Sequence, residues 1–144
     1  MAKKLNFTFQ ELINSDTAKK NKINNYPDIK HLDNLLNLIV FCLQPIRDII
    51  NKPMIITSGY RTQQLNAILG GAKNSHHCRG MAVDFVIKNM SVEQIVDKIR
   101  KSNIKFTQLI EEHSKSDTWV HISYDNNNLK CEVLRYKNGL YEKI

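Results

Sequence analysis

The run FTQLIEEHSKSDTWVHISYDNNNLKCEVLRYKNGLYEK, residues 106–143, decides the fold class. It holds four segments rich in β-branched and aromatic residues, FTQLIEE, TWVHISY, KCEVLRY and GLYEK, and the turn-forming DNNN separates the middle two. Connections of hairpin length favour antiparallel neighbours, because a parallel crossover needs a dozen or more residues. This region therefore predicts a mainly antiparallel sheet at the end of the chain.

Upstream of this sheet, residues 29–50 predict the main core helix. Apolar residues recur there at steps of three and four, which places them on one helical face. Pro45 lies inside the pattern, where it lacks an amide proton and crowds the carbonyl four residues back, so we expect a kink or a break near residues 41–44. His31 falls on or near the polar side of this helix, and we expect it to be solvated.

Shorter helices surround the core helix. One is expected over residues 7–13, because Thr8 and Glu11 have the spacing of a capping box. The polar residues 14–28 that follow are interpreted as an ordered loop. Two further helices are predicted, over residues 61–71 and from a cap at Ser91.

Two strand-like runs lie among the helices, MIITSGY at residues 54–60 and MAVDFVI at residues 81–87. Nevertheless, helices come first along the chain and strands dominate its end. This segregation argues against alternating βαβ units. The sequence therefore predicts a single α+β domain over residues 1–144, with helices packed on a mainly antiparallel sheet.

The composition is that of an ordinary globular domain. The chain has 144 residues, of which 42% are hydrophobic, so a core can form without disulfides. Its three cysteines lie far apart without a CxxC pair, which indicates neither a disulfide framework nor a thiolate zinc knuckle. The formal charge of +7 favours anionic partners, yet the lysines are scattered, and solubility explains them equally well. Because no nucleic-acid-reading motif accompanies the charge, we expect no nucleic-acid partner.

A metal site is one of two explanations for Asp84. This residue interrupts an otherwise apolar strand, where an ionised carboxylate needs a cation or a hydrogen-bonding partner. The first explanation is an ion pair with Arg61 or Arg79. The second is a metal bound with His77, across a glycine-containing turn, and with His121, which lies in another strand. Two imidazoles and one carboxylate are typical of an open zinc site.

Motifs over nearly the whole chain resemble the zinc D-alanyl-D-alanine carboxypeptidase and L-alanyl-D-glutamate endolysin group, metallopeptidase family fifteen. That family's core pattern is S-x-H-x-x-G-x-A-x-D followed later by W-x-H. The matching segments are FTFQELINSDTA (7–18), NYP (25–27), SGYR (58–61), LN and GG within 65–71, SHHCRGMAVD (75–84) and WVHIS (119–123). The resemblance implies a hedgehog-like, D-Ala-D-Ala-peptidase-like fold.

The same resemblance implies a zinc cofactor and its ligands. Aligning the pattern on Asp84 gives His77, Asp84 and His121 as the zinc ligands. His76 then fills a variable position and is expected near the substrate. Cys78 fills another variable position and is expected to be a bystander.

The general base is less well marked. Relatives often place an acid three residues before the last histidine, but Thr118 stands there in this chain. Resemblance of QLIEE to the Q-L-I-x-E pattern of phage-type relatives favours Glu112, with Asp117 second. Strand alternation places Glu112 on the face opposite Glu111, so only one of the two glutamates should point at the site.

Three further side chains are candidates for binding substrate. Arg61 suits a peptide carboxylate, because a guanidinium binds carboxylates through two parallel hydrogen bonds, although an ion pair with a structural acid is the alternative. Ser75 is expected either to contact substrate or to cap its loop. Trp119 is expected either to stack on substrate or to pack in the core.

Taken with the resemblance, these residues imply a zinc-dependent peptidase that hydrolyses the peptide stems of bacterial peptidoglycan by attack of a zinc-bound water. A non-catalytic wall-binding module of the same fold is the alternative, since Thr118 replaces the expected acid. We find no signal peptide and no apolar run of the ~20 residues that span a membrane. We therefore expect a protein that is made in the cytoplasm and reaches the wall after release by a separate protein or as a virion component. We also expect it to be a monomer.

Overall fold

Six strands form one sheet in the computed structural model, which describes residues 2–144. In chain order they are β1 (Ile55–Ser58), β2 (Ala82–Val86), β3 (Gln108–His113), β4 (Thr118–Ser123), β5 (Glu132–Lys137) and β6 (Leu140–Lys143). Their order across the sheet is β1-β2-β4-β3-β5-β6, and all neighbours are antiparallel except β3 and β5. The predicted single α+β domain with a mainly antiparallel sheet is confirmed.

The pairing of β5 differs from the expectation for a short connection. Strand β5 does not lie beside β4; it runs parallel to β3, on the edge of β3 that β4 leaves free. Residues 124–131 cross the end of β3 to reach that edge. Backbone bonds guide the crossing, since the amide of Cys131 donates to the Phe106 carbonyl (2.9 Å) and that of Glu132 to the Thr107 carbonyl (3.1 Å). The hairpin-length DNNN turn therefore begins a crossover.

Six α-helices precede or interrupt the strands among the described residues. They are α1 (Phe9–Ile13), α2 (Asp16–Lys20), α3 (Ile29–Leu38), α4 (Gln44–Ile50), α5 (Gln63–Ile68) and α6 (Val92–Arg100). Both predicted capping boxes are present, at Thr8 and Ser91. No helix in the described part of the chain is long and apolar enough to cross a membrane.

The prediction of a loop over residues 14–28 was wrong for its first part. Helix α2 forms there, because the Ser15 hydroxyl accepts the amide of Ala18 (3.1 Å) and Ala18 itself is buried. Such a short helix carries too few apolar residues to show a helical period. Its cap was the available signal.

The predicted interruption of the core helix is confirmed, and it takes the form of a π-helical turn. This turn, Ile39–Leu43, joins α3 to α4 without a break. Pro45 has no amide proton for the Phe41 carbonyl, and the amide of Gln44 donates five residues back, to Ile39. The helix therefore continues with one wider turn.

The core helix and α6 cover one face of the sheet. Apolar side chains of the core helix and α6 pack there against alternate residues of the central strands, including Val83, Phe85, Leu109, Val120 and Ile122. Because successive strand residues point to opposite faces, Asp84 and His121 project from the other face. The fold thus separates an apolar core from a polar sheet surface.

His31 is not solvated as expected. Its side chain is only 24% exposed, and its ring lies 5.6 Å from that of Tyr60 between centroids. The backbone carbonyl of His31 also lies close to Gly80. A Cβ atom at position 80 would lie 2.5 Å from the His31 carbonyl oxygen. This end of α3 therefore packs against the loop that follows α5.

Candidate metal centre and active site

Residues from four adjacent strands form a row across the polar face of the sheet. Ser58 on β1 lies opposite Asp84 on β2, Asp84 lies opposite His121 on β4, and His121 lies opposite Ile110 on β3. Residues paired in this way share a sheet face and have neighbouring Cβ atoms. The backbone ladder alone therefore brings Asp84 and His121 together.

His77 reaches the same place from a single 3₁₀ turn, His76–Arg79. The Ser75 hydroxyl caps this turn by accepting the amide of His77 (3.2 Å), and Gly80 ends it with a φ of +69°. The imidazole of His77 donates from Nδ1 to the Gly59 carbonyl (2.8 Å). Its Nε2 therefore carries the free lone pair, and this atom faces Asp84.

The three side chains form a compact set of donor atoms. His77 Nε2 lies 3.3 Å from Asp84 Oδ1, and His121 Nδ1 lies 2.9 Å from the same oxygen. All three donors lie within 4.8 Å of one another. Ligand atoms of a tetrahedral zinc ion, bound at about 2.0–2.1 Å, lie about 3.3 Å apart. The donor set therefore fits zinc.

Burial and mutual charge keep Asp84 and His77 in the protonation states that a metal requires. Burial raises the pKa of Asp84, but His77 and His121 outweigh it and hold the pKa well below the usual range. Burial lowers the pKa of His77, although Asp84 opposes the shift. At neutral pH the set is thus an ionised carboxylate beside a neutral His77.

We refer to His77, Asp84 and His121 together as the metal set. Arg61 lies beside this set, and several hydrogen bonds fix its position. Its guanidinium donates to the Ser58 hydroxyl at 3.0 and 3.1 Å and to the Asn66 side chain at 3.3 Å. Arg61 Nη2 also lies 3.5 Å from Asp84 Oδ2, the carboxylate oxygen that the histidines leave free. The ion pair and the metal set, the two explanations for Asp84, are therefore both present.

A cavity of about 360 Å³ opens above the metal set. Arg61 lines it, as do Ser75, His76, Glu112 and Trp119, each of which was predicted from the sequence as a site residue. The indole Nε1 of Trp119 is buried and has no hydrogen-bond partner. Of the predicted site residues, all but Asp117 meet at this cavity.

The alternation of β3 separates the two glutamates as expected. Glu112 lines the cavity with Gln108 and Ile110. Glu111 is buried behind the sheet, where Arg135 Nε donates to its carboxylate (2.7 Å). Burial raises the pKa of Glu112, and His121 opposes the shift. Glu112 is therefore the glutamate that faces the metal set.

Asp117 does not lie in the cavity. It is exposed in the turn between β3 and β4, where its amide donates to the Ser114 hydroxyl (2.9 Å). Thr118, which stands where relatives often carry an acid, is exposed at the start of β4. The turn holds Asp117 outside the site.

Two neighbours of His77 have different environments. Burial, with Arg79 adding to it, lowers the pKa of His76 to about 4, so this cavity-lining imidazole is neutral at pH 7. Cys78 is buried, and burial raises the pKa of its thiol. The Cys78 sulfur is not among the donor atoms that converge with His77, Asp84 and His121, so the geometry agrees with the prediction that Cys78 is a bystander.

Tyr141 is a cavity residue that the sequence did not indicate. It comes from β6, whose strand character was predicted, but a strand pattern does not tell which neighbour a strand pairs with. Its position depends on β5 lying beside β3, because β6 in turn pairs with β5. Alternation along GLYEK was the only available signal.

The Peptidase M15 family matches residues 5–123, and the chain belongs to this family of zinc-dependent metallopeptidases. The matched region contains all three members of the metal set and Glu112. No curated protein matches the chain significantly. The resemblance inferred from the sequence motifs is thus confirmed at the level of the family.

Proposed function

We propose that the protein is a zinc peptidase that hydrolyses the peptide stems of bacterial peptidoglycan, as an endolysin or as a cell-wall remodelling enzyme. The observation that carries this proposal is the convergence of His77, Asp84 and His121 beneath a cavity that also holds Glu112. Three protein ligands leave a coordination position for water or substrate. Such an open position is characteristic of catalytic zinc rather than structural zinc.

Zinc, when bound, supplies a Lewis acid that polarises a peptide carbonyl and lowers the pKa of a coordinated water towards ~7. Glu112 is the residue we propose as general base. Its carboxylate takes the proton from the attacking water and passes it to the departing amine. The raised pKa of Glu112 suits this role, because an acid that is too strong returns the proton poorly.

Arg61 and the loop before β2 are proposed to orient the peptide. The guanidinium carries a fixed positive charge at the cavity wall and matches a substrate carboxylate. Peptidoglycan stems offer such groups, either at a C-terminus or on a D-glutamate side chain. Ser75 and the neutral His76 line the cavity and can hydrogen-bond the peptide backbone. Both D-Ala-D-Ala carboxypeptidase and L-Ala-D-Glu endopeptidase activity agree with this arrangement.

The net charge of the protein supports action on the cell wall. The net charge of +7 favours adsorption to an anionic polymer. All proposed catalytic groups come from one chain, so a monomer suffices. We propose that the protein reaches its substrate after release from the cell or as part of a virion.

The test is digestion of purified peptidoglycan by the zinc-loaded protein, followed by mass spectrometry of the soluble muropeptides. We expect new amino termini at one type of stem bond. The matched control is Glu112→Gln, which preserves the size of the side chain and removes the base. Intact muropeptides after digestion with zinc-loaded wild-type protein would contradict the proposal.

A second function, a non-catalytic wall-binding module, is favoured by one observation. Thr118 stands where relatives often carry an acid, and its hydroxyl group cannot act as a general base. Under this alternative the zinc-loaded protein sediments with insoluble peptidoglycan but releases no new amino groups. The same digestion, combined with a sedimentation assay, separates the two functions.

A further inference from the structure

A second row of side chains crosses the polar face of the sheet, next to the row that holds the metal set. Glu112 on β3 lies opposite Trp119 on β4 and opposite Tyr136 on β5. Tyr136 in turn lies opposite Tyr141 on β6. Paired residues share a sheet face, so the proposed base stands in a row with three aromatic side chains.

Tyr141 is the member of this row farthest from the metal set. It is 61% exposed, yet it lines the cavity. Its ring lies against that of Tyr136, with centroids 4.7 Å apart, so the exposed ring has a supporting neighbour. An exposed aromatic ring supported in this way at a cleft is typical of a binding contact, because little conformational entropy is lost when a ligand covers it.

The strand that carries Tyr141 lies outside the part of the chain that matches the Peptidase M15 family. The match ends at residue 123, whereas β5 and β6 span Glu132–Lys137 and Leu140–Lys143. These two strands extend the sheet beyond β3, on the side away from Arg61. The cavity therefore has one end formed by the matched family region and another end formed by this extension.

We propose that Tyr141 is a specificity-determining residue, which binds the part of the peptide substrate that extends from the reacting bond away from Arg61. This inference rests on the peptidase function proposed above. Strand β6 lies three strand spacings from β4, or about 14 Å. An extended peptide covers that distance in about four residues. Tyr141 thus selects for longer peptides by stacking on a substrate residue that short peptides lack.

The experiment compares two synthetic peptides built around one stem bond, which is the bond identified in the muropeptide digestion or, if none is cleaved, the L-Ala-D-Glu bond. One has only two residues, and the other has five residues and extends away from the group bound by Arg61. For Tyr141→Ala we expect KM for the long peptide to rise about tenfold, as for loss of an aromatic anchor. We expect kcat for the long peptide and both constants for the short peptide to stay within about twofold of wild type.

Two matched variants complete the design. Tyr141→Phe keeps the ring and should restore most of the lost affinity for the long peptide. Leu140→Ala removes a neighbouring side chain that is 74% exposed and points to the opposite face of β6, so it should leave both peptides unaffected. Equal kinetic constants for wild type and Tyr141→Ala on the long peptide would overturn the inference. An equal loss on both peptides would overturn it too, because it would indicate a structural role.

Binding measurements keep this inference separate from the proposed function. If the zinc-loaded wild-type protein cleaves neither peptide, the peptidase proposal fails. Isothermal titration calorimetry with the long peptide then compares wild type with Tyr141→Ala. An affinity about tenfold lower in the variant supports the contact, and equal affinities reject it.

Discussion

Asp84 and His121 lie directly opposite each other on the antiparallel strands β2 and β4, with His121 Nδ1 2.9 Å from Asp84 Oδ1. Two of the three proposed zinc ligands are therefore positioned by the backbone ladder at the centre of the sheet. The third, His77, comes from a loop, but its ring is fixed by the Gly59 carbonyl. A site supported by regular strands needs little reorganisation when it binds a metal.

The first prediction concerns metal retention. His77→Ala, Asp84→Ala and His121→Ala should each lose the zinc that the wild-type protein retains, because two remaining donors hold the ion weakly. Zinc content per chain, measured by inductively coupled plasma mass spectrometry after extensive dialysis, checks this. His76→Ala is the control, since His76 lines the cavity but is not a member of the donor set. One zinc per chain surviving in any of the first three variants would reject that residue as a ligand.

The second prediction assigns the general base. Glu112→Gln should retain zinc and lose about 10²–10⁴-fold in kcat, the usual contribution of a positioned base. Asp117→Asn is the matched control, because Asp117 is exposed in a turn outside the cavity. It should keep activity close to wild type on the same peptide. A large loss in Asp117→Asn with full activity in Glu112→Gln would exchange the two roles.

Two features of the candidate site were predictable from local patterns in the sequence. Asp84 interrupts an apolar strand, and the alternation of β3 allows only one of Glu111 and Glu112 to face the metal set. Both features are local, and local periodicity is what a sequence reveals. The helix caps at Thr8 and Ser91 were predictable for the same reason.

What the sequence could not predict depends on contacts between distant segments. Strand patterns identified β5 and β6, but not that β5 would pass β4 and pair in parallel with β3. Tyr141 was missed as a cavity residue for that reason. Likewise, the burial of His31 depends on the approach of Tyr60 and Gly80, from loops far along the chain. These positions depend on contacts between residues that are distant in the sequence, and such contacts override the local propensities that a sequence reveals.

The third prediction is a pH dependence. Burial raises the pKa of Glu112 above its usual value of 4.5. A general base must be ionised, so kcat/KM should fall as the pH drops through this raised pKa, and the acidic limb of the profile should lie above pH 4.5. Burial lowers the pKa of His77, which moves the protonation of this ligand towards lower pH.

The pH profile needs a measurement of bound zinc at every point, which separates protonation of the base from loss of the metal. Residual activity of Glu112→Gln, measured over the same range, provides the second comparison. Its profile should lack the acidic limb, because the amide does not titrate. An identical limb in wild type and in this variant would assign the titration to another group.

The final prediction links a backbone contact to metal affinity. A Cβ atom at Gly59 would lie 2.1 Å from the Leu12 carbonyl oxygen, at the point where the amide of Tyr60 donates to that same oxygen (2.7 Å). Gly59→Ala must therefore separate α1 from β1, and we expect it to lower the free energy of unfolding by about 1–3 kcal/mol. The substitution also displaces the Gly59 carbonyl that orients His77. Because such supporting hydrogen bonds typically contribute 10–100-fold to metal affinity, zinc should bind about that much more weakly.

Gly70→Ala is the matched control for this effect. Gly70 has a φ of +71° and no atoms near the position of a Cβ, so alanine there strains the backbone by about 1–2 kcal/mol without touching the site. Urea unfolding of the metal-free proteins gives the two stability losses, and competition with a chromophoric chelator gives the zinc affinities. Both variants should be destabilised, but only Gly59→Ala should bind zinc more weakly. Equal zinc affinities in the two variants would mean that the Gly59 carbonyl does not set the orientation of His77, and that the turn His76–Arg79 holds the ring by itself.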